Sequence, residues 1–149
     1  MKKLVLVSVV LFLCGVAVFV VNKNSTQEPL TVVKDIGNAV QKADLIVLDN
    51  PRPNDSISKS IMLTGKARGY WYFEASFPIE IQDQNGNLLG GGVAQAQGEW
   101  MTSDFVPFKA SISFSQSPTA TGFIVLKKDN PSGEALRDDS LRVPVSFLP

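Results

Sequence analysis

The clearest pattern in the chain is an alternation of apolar and polar side chains over residues 77–82. The apolar positions are Phe77, Ile79 and Ile81. This period of two is typical of a β-strand with one face in a core and one face in solvent. Asn85-Gly86 follows, and both residue types tolerate positive φ. The pattern predicts a two-residue type I′ turn and an antiparallel return strand over residues 88–96.

Five further segments have the length and side-chain pattern of strands. They are residues 44–48, 58–65, 108–114, 122–126 and 141–147. Turn-forming residues separate them, and no convincing helical period lies between them. The prediction is an all-β fold, a sandwich of about seven strands. Gly90-Gly91-Gly92 predicts a bulge or a close approach of another backbone. Pro144, expected on the polar side of the last strand, predicts an edge strand or a bulge because it lacks an N–H.

An apolar run begins at Leu4 and ends at Val21, directly after Lys2 and Lys3. Its length is that of a membrane-spanning helix, and basic residues before such a helix favour a cytoplasmic N-terminus. An uncleaved anchor is the favoured interpretation. A cleaved signal peptide and a lipoprotein modified at Cys14 remain open alternatives.

The predicted organisation has three parts. A signal anchor occupies residues 1–21, a linker with a short helix occupies residues 22–43, and the β-sandwich occupies residues 44–149. The predicted location is the cell membrane, crossed once, with the C-terminal domain outside the cytoplasm.

Composition narrows the possible chemistry. Lys plus Arg and Asp plus Glu both number 14, so the basic footprint of a nucleic-acid-binding protein is missing. The chain has no histidine and one cysteine, which removes the commonest general base and any disulfide within the chain. We therefore expect no enzyme activity, no cofactor and no nucleic-acid partner.

Two groups of carboxylates remain as candidates for chemistry. Glu74 follows four aromatic residues and would be a general acid if burial raised its pKa. A structural hydrogen bond is the simpler interpretation, because no second catalytic group accompanies it. The second group comprises Asp129, Glu134, Asp138 and Asp139. These carboxylates could hold calcium, but their spacing matches no calcium-binding loop and favours a solvated turn.

Aromatic residues supply the candidate interaction surface. If residues 70–77 continue the strand, Trp71 and Phe73 share the core side with Phe77, and Tyr70 and Tyr72 lie on the other face. The predicted loop at residues 97–106 adds large apolar side chains that either close the end of the sandwich or form a contact surface, and closure is the favoured role. The candidate surface comprises Trp100, Met101, Phe105, Tyr70 and Tyr72.

Several short motifs in a fixed order resemble a known family, the immunoglobulin-like domain of bacterial spore germination proteins, which occurs beside GerMN domains. The motifs include Leu63-Thr64-Gly65-Lys66-Ala67, Trp71-Tyr72-Phe73-Glu74-Ala75-Ser76-Phe77-Pro78, Asp83-Gln84-Asn85-Gly86, Trp100-Met101, Asn130-Pro131-Ser132-Gly133 and Val143-Pro144-Val145. The resemblance extends from about Leu45 to Phe147. It implies an exported immunoglobulin-like module, and the family has no catalytic residues to transfer.

The function expected from these observations is that of a membrane-anchored, extracytoplasmic module with a noncatalytic binding or structural role in the bacterial cell envelope. The expected partner is an envelope protein or a wall component. The alternative is a module that binds cell-wall glycan through tyrosine or tryptophan rings.

Overall fold

The computed structural model describes residues 35–149. The predicted membrane segment at residues 1–21 and residues 22–34 of the predicted linker lie outside this part of the chain. Among the described residues, no helix has both the length and the apolar character needed to cross a membrane.

The described part of the chain is almost entirely β-structure. Its elements are the one-turn helix α1 (Ala39–Lys42) and the strands β1 (Ile46–Asn50), β2 (Ser56–Ile57), β3 (Ser60–Arg68), β4 (Ser76–Asp83), β5 (Leu88–Ala96), β6 (Phe105–Ser113), β7 (Thr121–Lys127) and β8 (Ser140–Phe147), with 3₁₀ turns at Gly69–Trp71 and Ala135–Arg137. The all-β prediction is confirmed. Each of the seven predicted strands is present, and the two-residue β2 is the addition.

The strands form one hydrogen-bonded ladder in the order β1-β3-β6-β5-β4-β7-β8-β2. All neighbouring pairs are antiparallel except β2 and β8, which run parallel. Among the long strands, β5 and β6 share the shortest pairing, because only Gln95 and Ala96 of β5 pair with β6. By contrast, β5 pairs with β4 from Ser76 to Gln82.

Aromatic contacts show that the ladder folds over between β5 and β6 into two layers. The rings of Phe77 on β4 and Phe108 on β6 have centroids 5.0 Å apart. Phe114, just after β6, and Phe147 on β8 are 5.5 Å apart, although three strands separate β6 and β8 in the ladder. Adjacent strands are about 4.8 Å apart, so a flat sheet would hold β6 and β8 about 19 Å apart. The layers β1-β3-β6 and β5-β4-β7-β8-β2 therefore face each other as a sandwich.

The core lies between the layers and follows the predicted alternation. Phe77, Ile79 and Ile81 on β4 are fully buried, and Phe108 and Ile112 on β6 are buried from the opposite layer. Burial of these apolar side chains is the main stabilising contribution to the fold.

The turn between β4 and β5 differs from the prediction. The loop contains three residues, 84–86, because Asp83 N–H donates to the Asn87 carbonyl at 2.9 Å. Of these loop residues only Gly86 has a positive φ, at +86°, whereas a type I′ turn needs two. The Asp83 carboxylate accepts hydrogen bonds from the Asn85 N–H, the Asn87 N–H and the Asn87 side-chain amide, each at 2.8 Å. This buried carboxylate decides the length of the loop.

The glycine triplet has the predicted role. A Cβ on Gly90 would lie 2.7 Å from Cβ of Phe114, so only glycine allows β5 to approach the end of β6 this closely. The β4–β5 register shifts at the same place, where Ile81 pairs with Gly90 and Gln82 pairs with Leu88. The bulge and the close backbone approach are both confirmed.

The outer side of β8 has no neighbouring strand along most of its length, and polar groups of preceding segments cover it. The Asn38 side chain accepts from Arg142 N–H at 2.7 Å and donates to the Ser140 carbonyl at 2.9 Å. The Asn54 N–H donates to the Pro144 carbonyl at 2.6 Å. Pro144 therefore lies at a covered edge, where its missing N–H leaves no ladder position unpaired. Its side chain is buried rather than on the polar side.

Candidate interaction surface

Two loops at one end of the sandwich carry most of the predicted site residues. The first, residues 69–75, connects β3 to β4, and the second, residues 97–104, connects β5 to β6. Because β3 and β5 both end and β4 and β6 both begin at this end, the loops lie side by side. We call residues 69–75 and 97–104 together the two-loop surface.

The first loop places its aromatic residues differently from the prediction. Tyr70 is 51% exposed and Trp71 is fully buried, as expected, but Tyr72 is only 4% exposed and Phe73 is 41% exposed. The two errors have one cause, since residues 69–71 form a 3₁₀ turn and the period-two rule holds only for extended chain. Tyr72 therefore does not belong to an exposed contact surface.

Tyr72 is instead a structural residue. Its hydroxyl donates to the Val106 carbonyl at 2.7 Å, and its ring packs against Phe77 at a centroid distance of 5.1 Å. Burial raises the pKa of Tyr72 well above its ordinary value, so the hydroxyl stays protonated and remains a donor.

A tight reverse turn follows at Glu74 and Ala75. Phe73 and Ser76 pair through two backbone hydrogen bonds of 2.9 and 3.0 Å. Both central residues have positive φ, at 49° for Glu74 and 61° for Ala75, a conformation that costs a residue with a Cβ about 1 kcal/mol or more. The Ala75 carbonyl accepts from Ala96 N–H at 2.8 Å, which ties this strained turn to the end of β5. The turn holds the Glu74 side chain in solvent, so the burial on which its general-acid role was based is not present.

The second loop is held by short-range hydrogen bonds. The Glu99 carboxylate accepts from Met101 N–H at 2.9 Å, and the Thr102 hydroxyl accepts from Asp104 N–H at 3.1 Å. A cross-loop bond of 3.1 Å joins Gly69 N–H to the Asp104 carbonyl. A Cβ at Gly69 would overlap the carbonyl oxygens of this loop, so glycine is needed for the two loops to lie against each other.

An open depression of about 380 Å³ lies between the loops. Its lining includes Tyr70, Trp100 and Met101 together with the hydroxyl residues Thr102 and Ser103. Met101 is 74% exposed, whereas Trp100 is partly buried against the core. Trp100 therefore combines the two roles that the sequence left open, because it closes the end of the core and also faces the depression.

Phe105 lies outside the depression. It is the first residue of β6 rather than a loop residue, and its ring is covered by the Arg68 guanidinium at 4.1 Å and the Lys66 ammonium at 5.2 Å from the ring centroid. The candidate residues that the structure brings together are therefore Tyr70, Trp100 and Met101. The sequence analysis missed exposed Phe73, and the unusual Glu74-Ala75 turn has no signal in the sequence because neither residue is typical of positive φ.

Three of the four carboxylates between β7 and β8 have side-chain partners of their own. Asp139 pairs with Lys42, Glu134 pairs with Arg137, and Asp138 accepts from the Asn130 amide at 2.7 Å. Within residues 35–149, no three carboxylate, cysteine or histidine side chains converge into a metal-binding group.

Comparison with known protein families gives one match. Residues 45–135 match the model of the immunoglobulin-like domain of bacterial spore germination. The chain belongs to this family. The match covers β1 to β7, and β8 completes the second layer beyond it. Both loops of the two-loop surface lie within the family match. A comparison with curated proteins gave no match.

Proposed function

We propose that this chain is a noncatalytic recognition module of the bacterial cell envelope, anchored in the membrane by residues 4–21 and binding a protein partner outside the cytoplasm through the two-loop surface. The apolar run and the preceding lysines support anchoring and export. The family match supports a noncatalytic immunoglobulin-like module.

The observation that carries the proposal is the exposed apolar cluster on the two-loop surface. Tyr70 and Met101 line the same depression and expose much of their side chains, and Phe73 is a further exposed aromatic residue on the first loop. Contiguous exposed apolar groups mark interaction sites, and loops on rigid scaffolds are common positions for them. Aromatic residues and methionine are also enriched in protein interfaces.

A photo-crosslinking experiment tests this proposal. A photoreactive phenylalanine analogue replaces Met101 in the full chain expressed in its own bacterium, and Met62, which is exposed on β3 away from the loops, is replaced in the control. We expect a discrete protein adduct from position 101 that position 62 does not give and that Tyr70→Ala removes without changing the melting temperature. Absence of an adduct at position 101, or the same adduct at both positions, would overturn the proposal.

The lining of the depression favours one second candidate. Tyrosine and tryptophan rings beside Thr102 and Ser103 hydroxyls offer stacking and hydrogen bonding that suit a sugar ring. Retention of the full chain on purified wall glycan, lost in Tyr70→Ala and unaffected in Met62→Ala, would support this glycan-binding function. If the chain is retained on glycan and position 101 gives no protein adduct, glycan binding would replace protein binding as the proposed function.

A further inference from the structure

The charges on the two-loop surface narrow the class of partner. The loops contain three carboxylates and neither lysine nor arginine; the carboxylates belong to Glu74, Glu99 and Asp104. All three residues are exposed. Glu99 and Asp104 directly flank the lining residues 100–103 and form an acidic rim of the apolar depression, and Glu74 adds a third charge on the first loop. No salt bridge within the described part of the chain compensates these charges.

The cations beside the second loop form no salt bridge with its carboxylates. Arg68 borders the second loop, but its Nε donates to the Asp44 carbonyl at 3.0 Å and its guanidinium stacks on Phe105. Its Nη1 reaches the Ser103 carbonyl at 3.3 Å, so its donors are directed at backbone oxygens rather than at the loop carboxylates. The Lys66 ammonium lies over the same ring, 5.2 Å from its centroid, so both cations at this border contact Phe105 and neither forms a salt bridge with a loop carboxylate.

We infer that the partner of the two-loop surface is a basic protein segment, in which lysine or arginine side chains flank an apolar anchor. This inference rests on the proposed function and states which class of protein the two-loop surface would recognise. The anchor enters the depression beside Trp100 and Met101, and the cationic groups reach Glu99 and Asp104 at its rim. An exposed tyrosine ring such as Tyr70 also attracts ammonium and guanidinium groups.

The same charges disfavour other envelope components. Phosphate-bearing wall polymers and acidic lipid headgroups would approach three carboxylates of their own sign, and such juxtaposition reduces both association rate and affinity. A neutral glycan would gain nothing from the rim charges, so its binding would depend little on salt.

The test uses the full chain in neutral detergent micelles, with the photoreactive analogue at position 101. Two short synthetic peptides serve as probes. They share the same leucine and alanine positions and differ only in carrying four lysines or four glutamates. We expect the lysine peptide to cross-link about tenfold more efficiently than the glutamate peptide, and the yield to fall severalfold as the salt concentration rises from about 50 to about 500 mM.

Matched substitutions show whether peptide binding depends on the rim carboxylates or only on the overall charge of the protein. Glu99→Gln and Asp104→Asn should each lower the yield of the lysine peptide about threefold, whereas Asp49→Asn, which removes one exposed charge from β1, should leave it unchanged. Equal yields from the two peptides, no adduct with either, or an equal effect of Asp49→Asn would overturn the inference. The proposed function would survive these results if position 101 still gives a protein adduct in cells, and it fails separately if it does not.

Discussion

The hydroxyl of Tyr72 donates to the carbonyl of Val106 at 2.7 Å inside the core. This bond links the first loop of the two-loop surface to the strand that follows the second loop, so it fixes the distance between them. It also explains why a tyrosine adjacent to exposed Tyr70 is itself buried, since the 3₁₀ turn at Gly69–Trp71 directs the two side chains to different surroundings.

The first prediction concerns this bond. Tyr72→Phe keeps the ring but leaves the Val106 carbonyl without its hydroxyl donor, and an unsatisfied buried acceptor costs about 1 to 3 kcal/mol. Chemical denaturation should show this loss in the free energy of unfolding. Tyr70→Phe is the control, because its side chain is half exposed, and it should change stability by about 0.5 kcal/mol or less. Equal losses would contradict the buried hydrogen bond.

The second prediction separates the roles of Trp100 and Met101. Trp100 packs on the core, so Trp100→Ala should lower stability by about 2 kcal/mol as well as weaken partner binding. Met101 is mostly exposed, so Met101→Ala should change stability by about 0.5 kcal/mol or less. Thermal melting and partner cross-linking measured on the same variants decide the question. Trp100→Ala with unchanged melting would show that this residue is not part of the core.

A third prediction tests the strain at Glu74-Ala75. Glycine adopts positive φ without the Cβ penalty, so Ala75→Gly should raise the free energy of unfolding by about 0.5 kcal/mol after the loss of chain entropy is included. Ala135→Gly, at an exposed position whose φ is not positive, should give no gain. A destabilised Ala75→Gly variant would mean that the turn is not strained.

The fourth prediction is a dependence of stability on pH. The Asn87 side-chain amide and the backbone N–H groups of Asn87 and Asn85 lower the pKa of Asp83, and the hydrogen bond from Lys127 lowers the pKa of Glu80. A carboxyl whose folded pKa lies below its unfolded value stabilises the fold fully above the unfolded pKa, near pH 4, and loses this contribution as the pH falls through the folded pKa. The melting temperature should therefore decrease as the pH is lowered below about 4.

Asp83→Asn serves as the comparison for this effect. It should melt at a lower temperature than the wild type at pH 7, because an amide replaces the carboxylate acceptor, and it should show a smaller further decrease in acid. An unchanged acid profile would exclude Asp83 as a source of the pH dependence.

The fifth prediction addresses topology. If residues 4–21 anchor the chain with its N-terminus inside, protease added to intact cells should digest the domain, while a cytoplasmic marker protein stays intact. A domain that is degraded only after the cells are lysed would exclude the extracytoplasmic location. Labelling of the mature protein with a lipid precursor would distinguish the lipoprotein alternative at Cys14 from the uncleaved anchor.

The sequence alone was sufficient for seven of the eight strands and for the inward face of β4. Phe77, Ile79 and Ile81 are buried as their spacing predicts, because successive side chains in extended chain must point to opposite sides. The glycine triplet and Pro144 were likewise interpretable, since both act through the backbone itself, one by lacking a Cβ and the other by lacking an N–H.

Tertiary structure decided what local pattern does not encode. Tyr72 is buried and Phe73 exposed because a 3₁₀ turn and a strained turn interrupt the strand, and contacts with β5 and β6 hold those turns in place. The bonds that Asn38 makes across β8 and the meeting of Tyr70 with Met101 join residues far apart in sequence. Their proximity follows from how the two layers pack, and burial of the shared core, rather than any local preference, provides the free energy that holds them together.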